Sequence, residues 1–169
     1  MLLEGTDSEV SVWMQDGIVD VAVVATLHDA EQDLPEGGTV RLKADQMVAV
    51  LARDHPLAEQ TSIDLRDLTD DALLLSDGGC EPLLVQMHRV AGITLRPSRK
   101  IRDMTTLLAL VREGLGVTVV PELAITDPQG LTVLPINPAT YRALHLVAAD
   151  SRDVPATVQV FLDIARSVG

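Results

Sequence analysis

The sequence predicts an α/β protein whose strands fall into two clusters. Helix-period segments alternate with short β-branched runs, first across residues 10–25 and again across 104–121. Hydrophobic residues make up 47% of the chain, yet it holds one Trp, one Tyr and one Phe, and so aliphatic a core suits strands covered on both faces. Breaks at Asp54-His55-Pro56 and Asp127-Pro128-Gln129-Gly130 let the chain leave one cluster of strands and later return to it. A length of 169 residues is enough for one well-buried domain or two small lobes.

The elements follow in order. Residues 1–4 read as a short strand. Thr6-Asp7-Ser8-Glu9 is a capping box, because a Thr hydroxyl and a Glu carboxylate three positions on can satisfy each other's backbone amides. Val10, Trp13 and Met14 fall at helical spacing, and Gly17 stops that helix. Residues 19–25 are a buried-strand run interrupted only by Asp20, so the first 25 residues read β-α-β, the unit that builds parallel sheets. An acidic surface loop over 28–39 precedes two further strands, 40–43 and 47–52, joined by Ala44-Asp45-Gln46. A weak helix over 63–68, with Ser62 or Thr61 as its cap, leads to a strand at 72–75.

The tight turn Ser76-Asp77-Gly78-Gly79-Cys80 opens a helix with Pro82 in its first turn. Leu83, Leu84, Met87, Val90 and Ala91 form its apolar side, and Gly92 ends it. An extended basic segment over 95–101 follows. Asp103 caps the next helix, in which Met104, Leu107, Leu108, Val111 and Leu115 keep a 3.6 period. Gly114 and Gly116 break it, and Val117-Thr118-Val119-Val120 form a strand stopped by Pro121. Strands over 131–136 and 143–149 precede a last helix that starts at Pro155 and carries Val158, Phe161, Leu162 and Ala165.

Composition narrows the function. Thirteen basic against 25 acidic residues leave a net charge of −12, which argues against binding of nucleic acid by this chain alone and disfavours anionic membranes. One cysteine cannot build a disulfide framework and fits a reducing compartment. Neither a signal peptide nor a run of transmembrane length shows. His28, His55, His88 and His145 have no metal-ligand spacing, and no nucleophile elbow or phosphate loop is present, so no metal, cofactor or enzyme activity is expected. Cys80 and His88, eight apart with no third group to orient them, make a poor nucleophile and base.

Two readings of chemistry remain open at each candidate site. The 76–80 turn joins a strand to a helix N-terminus, where backbone N–H groups and the helix dipole favour an anion or carboxylate; it is equally an ordinary strand-helix turn. Thr26 ends a strand at the end where parallel sheets bind ligands, or is simply polar surface. Asp103 is most simply a cap. Arg96, Arg99, Lys100 and Arg102 form a solvated basic face, or a docking surface for an acidic partner.

Four pieces, in this order, resemble the effector-binding domain of LysR-type transcriptional regulators. They are residues 13–24, residues 47–58 with Arg53-Asp54-His55-Pro56-Leu57-Ala58, residues 73–80, and residues 111–121. The resemblance implies a two-lobed fold like that of type 2 periplasmic binding proteins, with two crossover strands. Residues 1–52 and 132–169 would form lobe I, and 56–127 lobe II. It also implies a small-molecule effector, an anion if the 76–80 turn holds it, in contact with Thr26, Leu27, Ser76, Asp77, Gly79, Cys80, Met104, Thr105 and Pro121. The family's winged helix-turn-helix and one further β-α unit are expected ahead of Met1, with DNA reached only through that missing part. A cytoplasmic homodimer or tetramer is the expected whole protein. Peroxide-sensing members carry a redox-active cysteine in an Asp-Gly-x-Cys pattern, which Asp77-Gly78-Gly79-Cys80 matches, but the second cysteine of those sensors is absent. An oxidisable Cys80 and a solute-binding protein are the alternative functions.

Overall fold

Local sequence signals set most of the helix ends. The computed structural model describes residues 1–27, 34, 38–77, 79–149 and 154–168. The expected surface loop at 28–39 lies almost wholly outside the described residues, as do His28 and Gly78. At helix α1 (Asp7–Gln15) the Thr6 hydroxyl accepts the Glu9 N–H, and the Glu9 carboxylate accepts the Thr6 N–H at 2.7 Å. Gly17, at a φ of 66°, turns the chain out of it. The expected strand at 1–4 does not form: no ladder partner pairs with it among the described residues, and Met1 and Leu2 are fully exposed.

Residues Met1–Asp45 and Tyr141–Gly169 make one compact unit, and Gln46–Thr140 makes the other. In the first unit, β1 (Val21–Leu27) pairs antiparallel with β7 (Tyr141–Ala148), from Val21 opposite Ala148 to Leu27 opposite Arg142. β7 in turn neighbours β2 (Thr39–Ala52). The β-α-β reading at the N-terminus therefore gives way to an antiparallel pair, because the partner that completes β1 comes from the far end of the chain. Val158 and Leu162 of α4 (Ala156–Val168) pack with Val40, Leu146 and Ala148 as this unit's core. Phe161, expected on that apolar side, is exposed.

The two strands expected at 40–43 and 47–52 are a single one, β2. Its polar middle, Ala44-Asp45-Gln46, reads as a turn in sequence. It stays extended with Asp45 ion-paired: the Arg142 guanidinium donates two hydrogen bonds to Asp45 Oδ2, at 2.9 and 2.7 Å. Only 1% of the Asp45 side chain is exposed, so the pairing offsets a desolvation that would otherwise disfavour this arrangement.

In the second unit, the later half of β2 pairs antiparallel with β5 (Thr118–Pro121) on one side and with β6 (Leu131–Pro135) on the other. β6 accordingly belongs with this unit, although the sequence reading grouped residues from 132 onward with the first lobe. The weak helix at 63–68 is a short 3-10 turn, Leu65–Leu68, and Asp64 caps it instead of Ser62 or Thr61: its carboxylate accepts the Arg66 N–H at 2.9 Å. β3 (Leu74–Ser76), α2 (Glu81–Val90), β4 (Arg99–Ile101) and α3 (Met104–Arg112) follow. Leu107, Leu108 and Val111 of α3 pack with Val48, Val50, Leu74, Val120 and Leu131 to form the core.

The α3–β5 joint decides how that core closes. Gly114 donates to Val111 O and Leu115 to Leu110 O, so the helix ends in a Schellman motif with Gly114 at a φ of 71°. Leu115, expected in the apolar stripe, is thereby turned outward and is 59% exposed. Gly116 has a different task. Its φ is 156°, and a Cβ there would sit 2.2 Å from the Ala72 carbonyl oxygen, the atom that accepts the Val117 N–H at 3.0 Å. A side chain at Gly116 and the strand pairing of Val117 exclude each other. On α2, Val90 is exposed and His88 takes the buried position, with its Nδ1 2.8 Å from Leu84 O.

The two glycines should separate in a stability measurement. Gly114→Ala faces open space and should cost about 1–2 kcal/mol for the left-handed backbone alone. Gly116→Ala should cost about 3 kcal/mol or more, because the clash is with backbone that cannot swing aside. Urea midpoints of the two variants check this.

Candidate strand-end site

Three parallel segments end on one edge of the second unit. β3 and β4 pair in parallel, with Leu74 opposite Arg99, Leu75 opposite Lys100 and Ser76 opposite Ile101. On the other side of β3, Leu73 bridges Val117 in parallel, Leu74 donates to Val117 O at 2.8 Å, and the buried Thr118 hydroxyl donates to Leu74 O at 2.7 Å. β5 therefore runs in the same direction, and Ser76, Ile101 and Pro121 are carboxyl ends of neighbouring strands. α2 and α3 both start from that edge. In open α/β sheets this is where ligands sit, since loops and helix N-termini converge there.

Seven of the nine expected contact residues fall on this edge. Ser76 is buried at the end of β3, and Asp77 follows it, its N–H donating to Ile101 O at 3.0 Å. Gly79 adopts a φ of 95°, a conformation that disfavours any side chain. Cys80 is the N-cap residue of α2 and only 5% exposed. Met104 and Thr105 begin α3; Met104 is half-buried against the core and Thr105 is exposed. Pro121 closes β5 and is buried. Thr26 and Leu27 lie in the other unit, at the end of β1. Leu27 is buried, and the Thr26 hydroxyl is buried with no hydrogen-bond partner among the described residues. An orphaned buried hydroxyl calls for a water or a ligand group.

The two helix N-termini differ in charge. At α3 the Asp103 carboxylate already fills the position: one oxygen accepts the Thr106 hydroxyl at 2.6 Å and the Thr106 N–H at 2.7 Å. Those bonds, the hydroxyl's first, hold the Asp103 carboxyl below its ordinary pKa. At α2 Cys80 supplies no side-chain cap. The carboxylate in its first turn, Glu81, is bound to Lys100, whose ammonium lies 2.6 and 2.7 Å from the two oxygens and is raised in pKa chiefly by that hydrogen bond. The start of α2 is thus the end without a side-chain cap, and an anion there would add to its dipole. Lys100, read in sequence as part of a solvated basic face, is committed to this ion pair.

Sequence reasoning missed two features. The Thr118 hydroxyl holds β5 to β3, whereas the residue reads in sequence as plain core. The Asp45–Arg142 pair joins residues 97 apart, and nothing local to either residue signals the other.

A family model described as LysR substrate binding domain matches residues 1–169. The chain is 30% identical over 171 residues to an uncharacterized HTH-type transcriptional regulator, YvbU, of Bacillus subtilis, covering 99% of this chain and 56% of that protein. The chain thus spans little more than half the length of this relative. Among solved structures, the effector-binding domain of QuiR in complex with shikimate matches with a TM-score of 0.78 and 22% identity, over 98% of this chain and 78% of that one. The regulatory domain of CcmR from Synechocystis, in complex with 2-PG, matches with a TM-score of 0.76 and 21% identity, over 96% and 79%. The fold is the two-lobed, type 2 periplasmic-binding-protein-like fold of such domains.

A depressed Asp103 pKa has a consequence with a definite sign. Stability from this cap is present above the unfolded carboxyl pKa and is lost as pH falls through the lower folded value. A carboxyl-detected NMR titration should place the Asp103 midpoint below its ordinary value of 3.8, and Thr106→Val should move it upward.

Proposed function

The chain belongs to the LysR substrate-binding domain family, and on that footing we propose that it is the sensing domain of a transcriptional regulator. A small-molecule effector binds at the strand-end edge, and a DNA-binding part of the whole protein reports it. The observation that carries the site is the convergence of three parallel strand ends on an α2 N-terminus that lacks a side-chain cap. Backbone amides there favour a carboxylate or other anion, Gly79 admits close approach of the ligand, and the exposed Thr105 hydroxyl supplies a hydrogen bond from the neighbouring helix. Coupling to DNA requires only that the effector bind two states of the whole protein with different affinity.

A thiol-sensor reading has less support. Cys80 sits at a helix N-terminus, but its 5% exposure restricts access by an oxidant. The solute-binding alternative shares the fold, and the regulator relatives speak against it.

Isothermal titration of small hydroxy-carboxylates, shikimate included, tests the site. At least one should bind, and Thr105→Val should weaken it about tenfold, the loss of one hydrogen bond to a charged group. A panel in which none binds, or binding that Thr105→Val leaves unchanged, would remove the site from this edge. For coupling to DNA, the bound molecule should shift operator affinity of the whole protein; identical affinity with and without it would refute sensing.

A further inference from the structure

A small cavity lies in the unit Gln46–Thr140, lined by residues other than those of the strand-end edge. Its volume is about 260 Å³, between the roughly 150 Å³ that holds benzene and the 300–1,000 Å³ typical of drug-sized sites. Most of its lining comes from the segments that lead into β3 and β4, joined by His88 of α2 and Val119 of β5, whereas the strand-end edge is built at and beyond the carboxyl ends of the strands. Leu65, Leu68 and Leu73 give it an apolar wall, with Ile93 and Val119 completing it. The buried His88 also lines it, and the 2.8 Å contact of Nδ1 with the Leu84 carbonyl holds the ring in place. A carbonyl oxygen can only accept, so Nδ1 carries the proton of that bond.

The polar part of the lining holds charges of both signs. Arg96 is exposed and has no ion-pair partner among the described residues. Among the described residues, Asp71 engages only its Oδ1 in a side-chain contact, 3.2 Å from His55 Nε2. The Thr69 hydroxyl donates to Arg66 O at 2.7 Å, which leaves its oxygen as an acceptor. Among the described residues, a cation without an ion-pair partner, a carboxylate with an unused oxygen and a hydroxyl oxygen able to accept therefore line the same small cavity, together with aliphatic side chains.

We propose that this cavity is a binding site for a free aliphatic α-amino acid. Arg96 takes the carboxylate in a forked pair, Asp71 and Thr69 take the ammonium, and Leu65, Leu68 and Leu73 cover the side chain. A simple anion leaves the second Asp71 oxygen without a partner, and a simple amine leaves Arg96 without one. A zwitterion answers both. The site is independent of the strand-end reading and would give the domain a second input.

The probe is L-leucine, compared with 4-methylpentanoate, which lacks the ammonium, and isopentylamine, which lacks the carboxylate. In ¹⁵N–¹H spectra of the folded chain, millimolar L-leucine should give saturable shifts of amides in residues 65–73 and 93–96. Each one-ended analogue should bind at least about tenfold more weakly, through loss of a charge-assisted bond. Arg96→Gln, an exposed change outside the His55–Asp71 contact, should weaken L-leucine to the level of the amine. Absence of saturable shifts, analogues that bind as well as L-leucine, or an unaffected Arg96→Gln variant would overturn the proposal. Shifts confined to residues 76–80 and 103–105 would overturn it while supporting the strand-end site.

Discussion

The second unit depends on one close approach: the backbone of Gly116 against the carbonyl of Ala72. With no Cβ in the way, Val117 donates to Ala72 O and accepts from Leu74, and β5 is laid parallel beside β3. Everything at the strand-end edge follows from that alignment. β3 brings β4 on its far side, β5 brings the second half of β2, and the carboxyl ends of three segments are collected on one edge. The Thr118 hydroxyl reinforces the alignment from within the core by donating to Leu74 O. A buried hydroxyl is tolerated because that bond satisfies it.

The edge built in this way distributes charge unevenly. Two helices start there, and each N-terminus attracts negative charge. The chain fills one of them itself: Asp103 sits on the amide and hydroxyl of Thr106. At the other, the nearby carboxylate of Glu81 is drawn to Lys100, and Cys80 offers no cap. On the proposed reading, the asymmetry would favour an anion at α2, with the neutral Thr105 hydroxyl as its neighbour at α3. It also separates the roles of residues that look alike in sequence, since Asp103 is structural here and Thr105, two positions on, is the exposed group.

Local chemistry was legible residue by residue. The Thr6–Glu9 capping box, the Asp103 cap, Pro82 in the first turn of α2 and the glycine stops at Gly17 and Gly114 all involve partners within about one helical turn, so short spacing reveals them. Where the reading failed, the deciding partner was remote or missing. Residues 1–4 have strand composition but no strand to pair with among the described residues. Ala44-Asp45-Gln46 has turn composition, but Arg142 holds Asp45 in an extended strand. Leu115 and Val90 have the right period, yet the chain reverses at Gly114 and α2 ends at Val90, leaving both at helix ends where the periodic face no longer meets the core. His88 shows the converse, a polar residue buried because its own helix supplies a carbonyl.

By itself, the sequence determined the fold class, the family, most of the α-helix ends and the loops where ligand chemistry is expected. These depend on hydrophobic period, on caps and on backbone freedom, which act over a few residues. Only the tertiary structure decided which strands lie side by side and in what direction. It made β1 antiparallel to β7, merged two strands into β2 and placed β6 with the second unit. It also told Gly116 apart from Gly114. The physical reason is the same in each case: ladder hydrogen bonds, buried ion pairs and steric exclusion join residues tens of positions apart, and their energy depends on a geometry that no window of sequence contains.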